Sequence, residues 1–88
     1  MRVPTTTSRF DRMLVKFVRA HPDLRDAIYS LMKNLVLNPH ETRLKTHSLG
    51  GRLKGSLGAS INSKYRVVFL LFDDEIRFVS VGSHDEVY

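Results

Sequence analysis

Eighty-eight residues are enough for one domain with a single hydrophobic core, and too few for two. The absence of cysteine excludes a disulfide framework and a thiolate-held zinc, while an apolar content of 42% is that of an ordinary globular chain. The net charge of +5 is unevenly placed: between Glu41 and Arg66 lie Arg43, Lys45, Arg52, Lys54 and Lys64, with Glu41 the only acid. A basic block of that kind favours a polyanionic partner, with a solvated basic surface as the simpler alternative.

Taken in chain order, "RVP" is a short extended segment broken by Pro4. Ser8 can cap a helix, with Asp11 three positions on, and Phe10, Leu14, Phe17 and Val18 then fall on one helical face. His21-Pro22 interrupts that helix, and Pro22 suits the first turn of a second. Leu24, Ala27, Ile28, Leu31 and Leu35 form the second apolar stripe, which stops by Asn38-Pro39. A joint this short predicts an antiparallel helix hairpin.

Beyond Pro39 the stretch "HETRLKTHSLGGRLKG" is polar, basic and glycine-containing, a loop leading into the strand "SLGASIN". "KYRVVFLLF" is almost continuously apolar, as a central strand buried on both faces must be. "DDE" is a tight turn and "IRFVSV" the returning strand. The prediction is therefore an α+β fold with residues 1–88 as one domain. It is a two-layer sandwich of an N-terminal strand, a helix hairpin and a three-stranded antiparallel meander, in the order β-α-α-β-β-β. The final "GSHDEVY" places titratable groups directly after a strand, which predicts an anchored cluster and not a frayed tail. The start "MRVPTTTSRF" lacks the apolar core of a signal peptide, and "VVFLLF" is too short to span a bilayer. The expected location is the cytoplasm, away from membranes.

The helix hairpin followed by "THSLGGRLKG", "KYRVVF" and "DDEIRFVSVGSHDEVY" resembles the RelE/ParE toxin superfamily, closest to its RelE and YafQ branches. The order and spacing of these motifs carry the resemblance over almost the whole chain. It implies a RelE-like fold and a cognate antitoxin as partner in a hetero-oligomer. It also implies a ribosome-dependent mRNA endonuclease that needs neither metal nor cofactor. Such an enzyme uses the substrate's own 2′-hydroxyl, so it needs a proton acceptor, a proton donor and fixed cations for the phosphate. Histidine suits the proton transfers and arginine the phosphate.

Residue by residue, the resemblance makes His84 the catalytic histidine of a Gly-Ser/Thr-His motif, with Tyr88 the terminal aromatic. It makes Arg66 a phosphate contact, sets Tyr65 where the YafQ branch has a tryptophan, and matches His47 to a histidine ahead of the second strand. Lys54 and Lys64, with Arg52 and Lys45 beside them, are the expected RNA-binding cations. The chain departs from the pattern at Ser60, Lys64 and Ser80, which stand where the YafQ branch has histidine, aspartate and arginine. It also departs in "SLGAS", where the RelE branch has paired lysines. Simpler roles exist for each residue. His84 can bond Asp85, Arg66 can pair with Asp73, Asp74 or Glu86, the tyrosines can cap the core, and the lysines can be surface charges. The rival functions are a gyrase poison of the ParE type and a catalytically silent partner of an antitoxin.

Overall fold

The computed structural model describes residues 2–51 and 55–87. Its elements are β1 (Val3–Thr6), α1 (Ser8–Ala20), a 3₁₀ turn (Pro22–Leu24), α2 (Arg25–Leu37) and a second 3₁₀ turn (Thr42–Leu44). There follow β2 (His47–Ser48), β3 (Leu57–Ser60), β4 (Tyr65–Leu71), β5 (Glu75–Ser83) and α3 (His84–Val87). The strands form one sheet in the order β1-β5-β4-β3-β2, with β1 parallel to β5 and the other neighbours antiparallel. The expected α+β sandwich is present, and its meander is widened by β1 on one side and by β2 on the other.

Four local details differ from the sequence expectation. Thr7, not Ser8, caps α1: its backbone is extended and its side-chain oxygen accepts the Phe10 N–H at 3.0 Å. Pro4 does not break β1. The Val3 N–H bonds to the Asp74 carbonyl just ahead of β5 and the Thr7 N–H to the Phe78 carbonyl within it, so Pro4 falls on the outward row of an edge strand, where a missing donor costs nothing. The polar stretch after Pro39 is not all loop, because Leu44 is buried and His47–Ser48 pairs with β3. Ala27, expected in the apolar stripe of α2, is exposed.

One core lies between the helices and the sheet. Phe10 and Phe17 of α1 and Ile28, Leu31 and Leu35 of α2 meet Ala59, Val67, Phe69, Ile76, Phe78 and Val81. The Phe78 ring stands 5.7 Å from Phe10 and 6.3 Å from Phe69, and each such buried side chain contributes about 1.5–3 kcal/mol. Strict alternation along β5 would put Ile76, Phe78 and Ser80 on the same face. A bulge prevents this: Phe69 pairs with Phe78 but Val68 pairs with Ser80, so Val79 is the extra residue and Val81 returns to the core.

The end of β5 is held by a reciprocal cap. The Ser83 N–H donates to the Glu86 carboxylate at 2.9 Å, and the Glu86 N–H donates to the Ser83 hydroxyl at 3.4 Å. These bonds, led by the one from the Ser83 backbone, lower the pKa of Glu86, with help from the nearby charge of Lys16 and from His21. Gly82 makes the turn possible. Its φ is +154°, and a Cβ there would stand 3.1 Å from Glu86 Cβ and Oε1.

Gly82→Ala is expected to destabilise the protein by about 1–3 kcal/mol, read as a lower urea midpoint. An unchanged midpoint would show that α3 does not depend on this close approach. Because the Glu86 pKa is lowered on folding, the stability it contributes is present above the ordinary carboxylate range and is lost as pH falls through it and below. Amide exchange at Glu86 and Val87 should therefore accelerate on acidification in the wild type, relative to Glu86→Gln.

Candidate active site

β4 must show its apolar residues to the helices, and that requirement sorts its neighbours. Tyr65, Val67, Phe69 and Leu71 pack on the core side. Arg66 lies between Tyr65 and Val67 and so points to the opposite face of the sheet. Its cross-strand partners are Ser60 on β3 and Gly82 on β5. One row further along, His47 on β2 is opposite Gly58, which is itself opposite Val68.

Arg43, Lys45, His47, Ser60, Ile61, Asn62, Ser63 and Arg66 line a shallow depression of about 480 Å³ at this end of the sheet. No acidic side chain is among them. Arg43 is offset by an ion pair with Glu41, which raises the arginine's pKa and lowers the carboxyl's. Among the described residues Arg66 has no ion pair, so none of Asp73, Asp74 and Glu86 neutralises it. Asn62 shapes the wall of the depression, because its side-chain oxygen accepts both the Lys64 and Tyr65 N–H groups at 2.9 Å.

His47 is exposed, and its Nδ1 lies 2.9 Å from the Lys45 carbonyl oxygen. A carbonyl can only accept, so Nδ1 carries the proton and the neutral ring keeps its Nε2 lone pair for another proton. Lys45 reaches this position through an uncommon left-handed backbone, with φ 53°. His84 is on the other side of Arg66. It opens α3 two residues beyond Gly82, is 63% exposed at its side chain, and has Asp85 Oδ1 3.9 Å from its Nδ1. His84 is not among the residues lining the depression.

The remaining site expectations divide. Lys45 lines the depression and Lys64 is exposed on the hairpin beside it. Tyr65 faces the helices: its ring is 5.2 Å from Phe17, edge to face, and 4.6 Å from His21. That is a packing position and not a place on the Arg66 face, and the alternation of β4 already implied it. Arg52, Lys54 and Tyr88 lie outside the described residues. Ser80, where the YafQ branch has arginine, is 2% exposed and paired with Val68, so a long cation there would have to be buried. No group of three or more His, Asp or Glu side chains able to hold a metal occurs among the described residues.

The sequence reading missed a second set of cations. Arg9, Arg12, Lys16 and Arg19 all lie on the exposed side of α1. Their spacing of three, four and three residues was a readable signal, obscured by the acids interspersed along the helical stretches.

No protein-family model and no curated protein matches this sequence. Solved structures do match in shape. YafQ from Escherichia coli superposes with a TM-score of 0.85 at 22% identity, over 100% of this chain and 99% of that one. A structure of the E. coli DinJ-YafQ toxin-antitoxin complex matches at 0.83 and 22% identity, covering 99% and 97%. A YoeB/ParE toxin from Agrobacterium tumefaciens matches at 0.79 and 17% identity, covering 96% and 99%. The chain therefore has the fold shared by the RelE/ParE toxins.

Proposed function

We propose that this protein is the toxin of a type II toxin–antitoxin pair and an endoribonuclease that cuts mRNA on the ribosome. The observation that carries this reading is the placement of Arg66 between two imidazoles. His47 is two strands away on the β2 side, and His84 follows the adjacent strand on the β5 side. Displacement at phosphorus has its attacking and leaving oxygens on opposite sides, so proton acceptor and donor belong on opposite sides of whatever holds the phosphate.

In this mechanism the guanidinium of Arg66 holds the non-bridging phosphoryl oxygens, with Lys64, and Lys54 from outside the described residues, adding charge. His47 Nε2 accepts the proton of the ribose 2′-hydroxyl. The 2′-oxygen bonds to phosphorus, the bond from phosphorus to the 5′-oxygen breaks, and His84 gives its proton to that 5′-oxygen. The products are a 2′,3′-cyclic phosphate and a free 5′-hydroxyl, and no metal is required at any step. Neutralisation would come from an acidic antitoxin segment that folds on docking to the basic depression.

His84→Ala should slow cutting of ribosome-bound mRNA by about 10²–10⁴-fold and release cells from growth arrest, with unchanged thermal unfolding. Arg66→Gln should cost about 10²-fold or more. Full activity in both variants would overturn the assignment. Gyrase-linked DNA breaks with intact mRNA would select the poison reading, and harmless overexpression without an antitoxin would select the silent partner.

A further inference from the structure

We infer that His21 is a positioning residue for the candidate site, holding the turn that carries His84 more firmly when its imidazole is charged. The consequence for cutting rests on the nuclease reading above; the cause is the geometry of the sheet end. His21 closes α1: its N–H donates to the Phe17 carbonyl at 2.8 Å, and Pro22 disfavours helical backbone at the residue before it. The half-buried imidazole lies 4.9 Å from the Phe17 ring and 4.6 Å from the Tyr65 ring, with Phe17 and Tyr65 5.2 Å apart. Three rings in mutual contact fix where His21 sits.

That place is on the helix side of the two strand ends that carry the site. Tyr65 is the cross-strand partner of Ser83, and Arg66 is that of Gly82. His21 also shares a cavity of about 330 Å³ with Lys16 and Glu86, over apolar walls that include Phe17 and Val81. Glu86 Oε1 accepts the Ser83 N–H, and Ser83 immediately precedes His84. His21 therefore touches the neighbour of Arg66 and looks across a cavity at the carboxylate that caps the His84 turn.

The charged or titratable groups facing His21 are Lys16 from α1, Glu86 from α3 and Tyr65 from β4, while β5 contributes Val81. Asp23 lies two residues on in the same turn and is exposed. Of these side chains, only an imidazole ordinarily changes charge near neutrality. Below neutrality it attracts the Glu86 carboxylate, and as pH rises through neutrality that attraction is lost. The Ser83 bonds are the main cause of the lowered Glu86 pKa, and the charges of Lys16 and His21 add to them. Glu86 is exposed, so solvent screens the attraction and its effect is about two- to fivefold. The imidazole that donates the proton and the one that steadies it thus act in the same direction, since both favour cutting when charged.

The test is amide exchange at Glu86 and Val87 of the full chain, taken as protection factors at pH 6 and pH 8. It compares the wild type, His21→Phe, Glu86→Gln and the double variant. Phenylalanine keeps a ring against Phe17 and Tyr65 and removes the charge. The ratio of protection at pH 6 to that at pH 8 should fall about two- to fivefold on His21→Phe. The same substitution should leave the ratio unchanged in the Glu86→Gln background. Titration of His84 is common to all four proteins and cancels. An equal ratio in wild type and His21→Phe overturns the inference. So does a fall of the same size with Glu86→Gln in place, which would mark ring packing and not charge. If His21→Phe lowers the thermal midpoint, wild type and Glu86→Gln decide alone, and equal ratios in those two overturn it. Because no cutting is measured, the exchange result stands whether or not the protein is a nuclease. In a protein that does cut ribosome-bound mRNA, His21→Phe should slow single-turnover cutting about two- to fivefold at pH 6, and an unchanged rate overturns the positioning role.

Discussion

α1 and α2 pack on one face of the sheet, and most of the candidate site follows from that. β4 is obliged to present Tyr65, Val67, Phe69 and Leu71 to Phe17 and the other core side chains. With a period of two, the same obligation turns Arg66 away from the core. A slip of one residue would bury the guanidinium and expose the apolar set, so the register is strongly specified. The β5 bulge completes the arrangement. It returns Val81 to the core and leaves Gly82 opposite Arg66, with His84 two residues beyond. Hydrophobic burial thus positions a cation and an imidazole that take no part in the core.

The site is assembled from backbone devices more than from side-chain pairing. The Lys45 carbonyl fixes the His47 tautomer, Asn62 holds the hairpin beside Arg66, and Ser83 with Glu86 anchors the turn that begins at His84. Glu86 is in this sense a structural carboxylate, and Asp85, fully exposed, lies beside His84 without closing a hydrogen bond. Among the described residues no carboxylate pairs with Arg66, which keeps its charge available to an anionic ligand, at little cost where solvent reaches it.

Much of this was legible in the sequence. The stripes of α1 and α2 and the apolar run of β4 fixed the layers, and the antiparallel order of β4 and β5 brought Arg66 toward the end of the last strand. The inward direction of Tyr65 was legible too, since it shares parity with Val67 and Phe69. Other features were hidden for physical reasons. Two residues of β2 carry no period, so His47–Ser48 could not be told from loop. The bulge at Val79 depends on which partner β4 offers, and no local pattern encodes it. The cap shifted from Ser8 to Thr7 because neighbouring hydroxyl residues are equally able to cap, and the entering β1 decides between them. The Ser83–Glu86 pairing was written as S-x-x-E, yet its role emerged only once Gly82 turned the chain back.

The account stands on two imidazoles serving one phosphodiester from opposite sides of Arg66. The most direct measurement is the pH dependence of single-turnover cutting of ribosome-bound mRNA by wild type, His47→Gln and His84→Gln. The account predicts a bell for the wild type, with the acidic limb lost in His47→Gln and the alkaline limb lost in His84→Gln. Profiles of unchanged shape in both variants would contradict it.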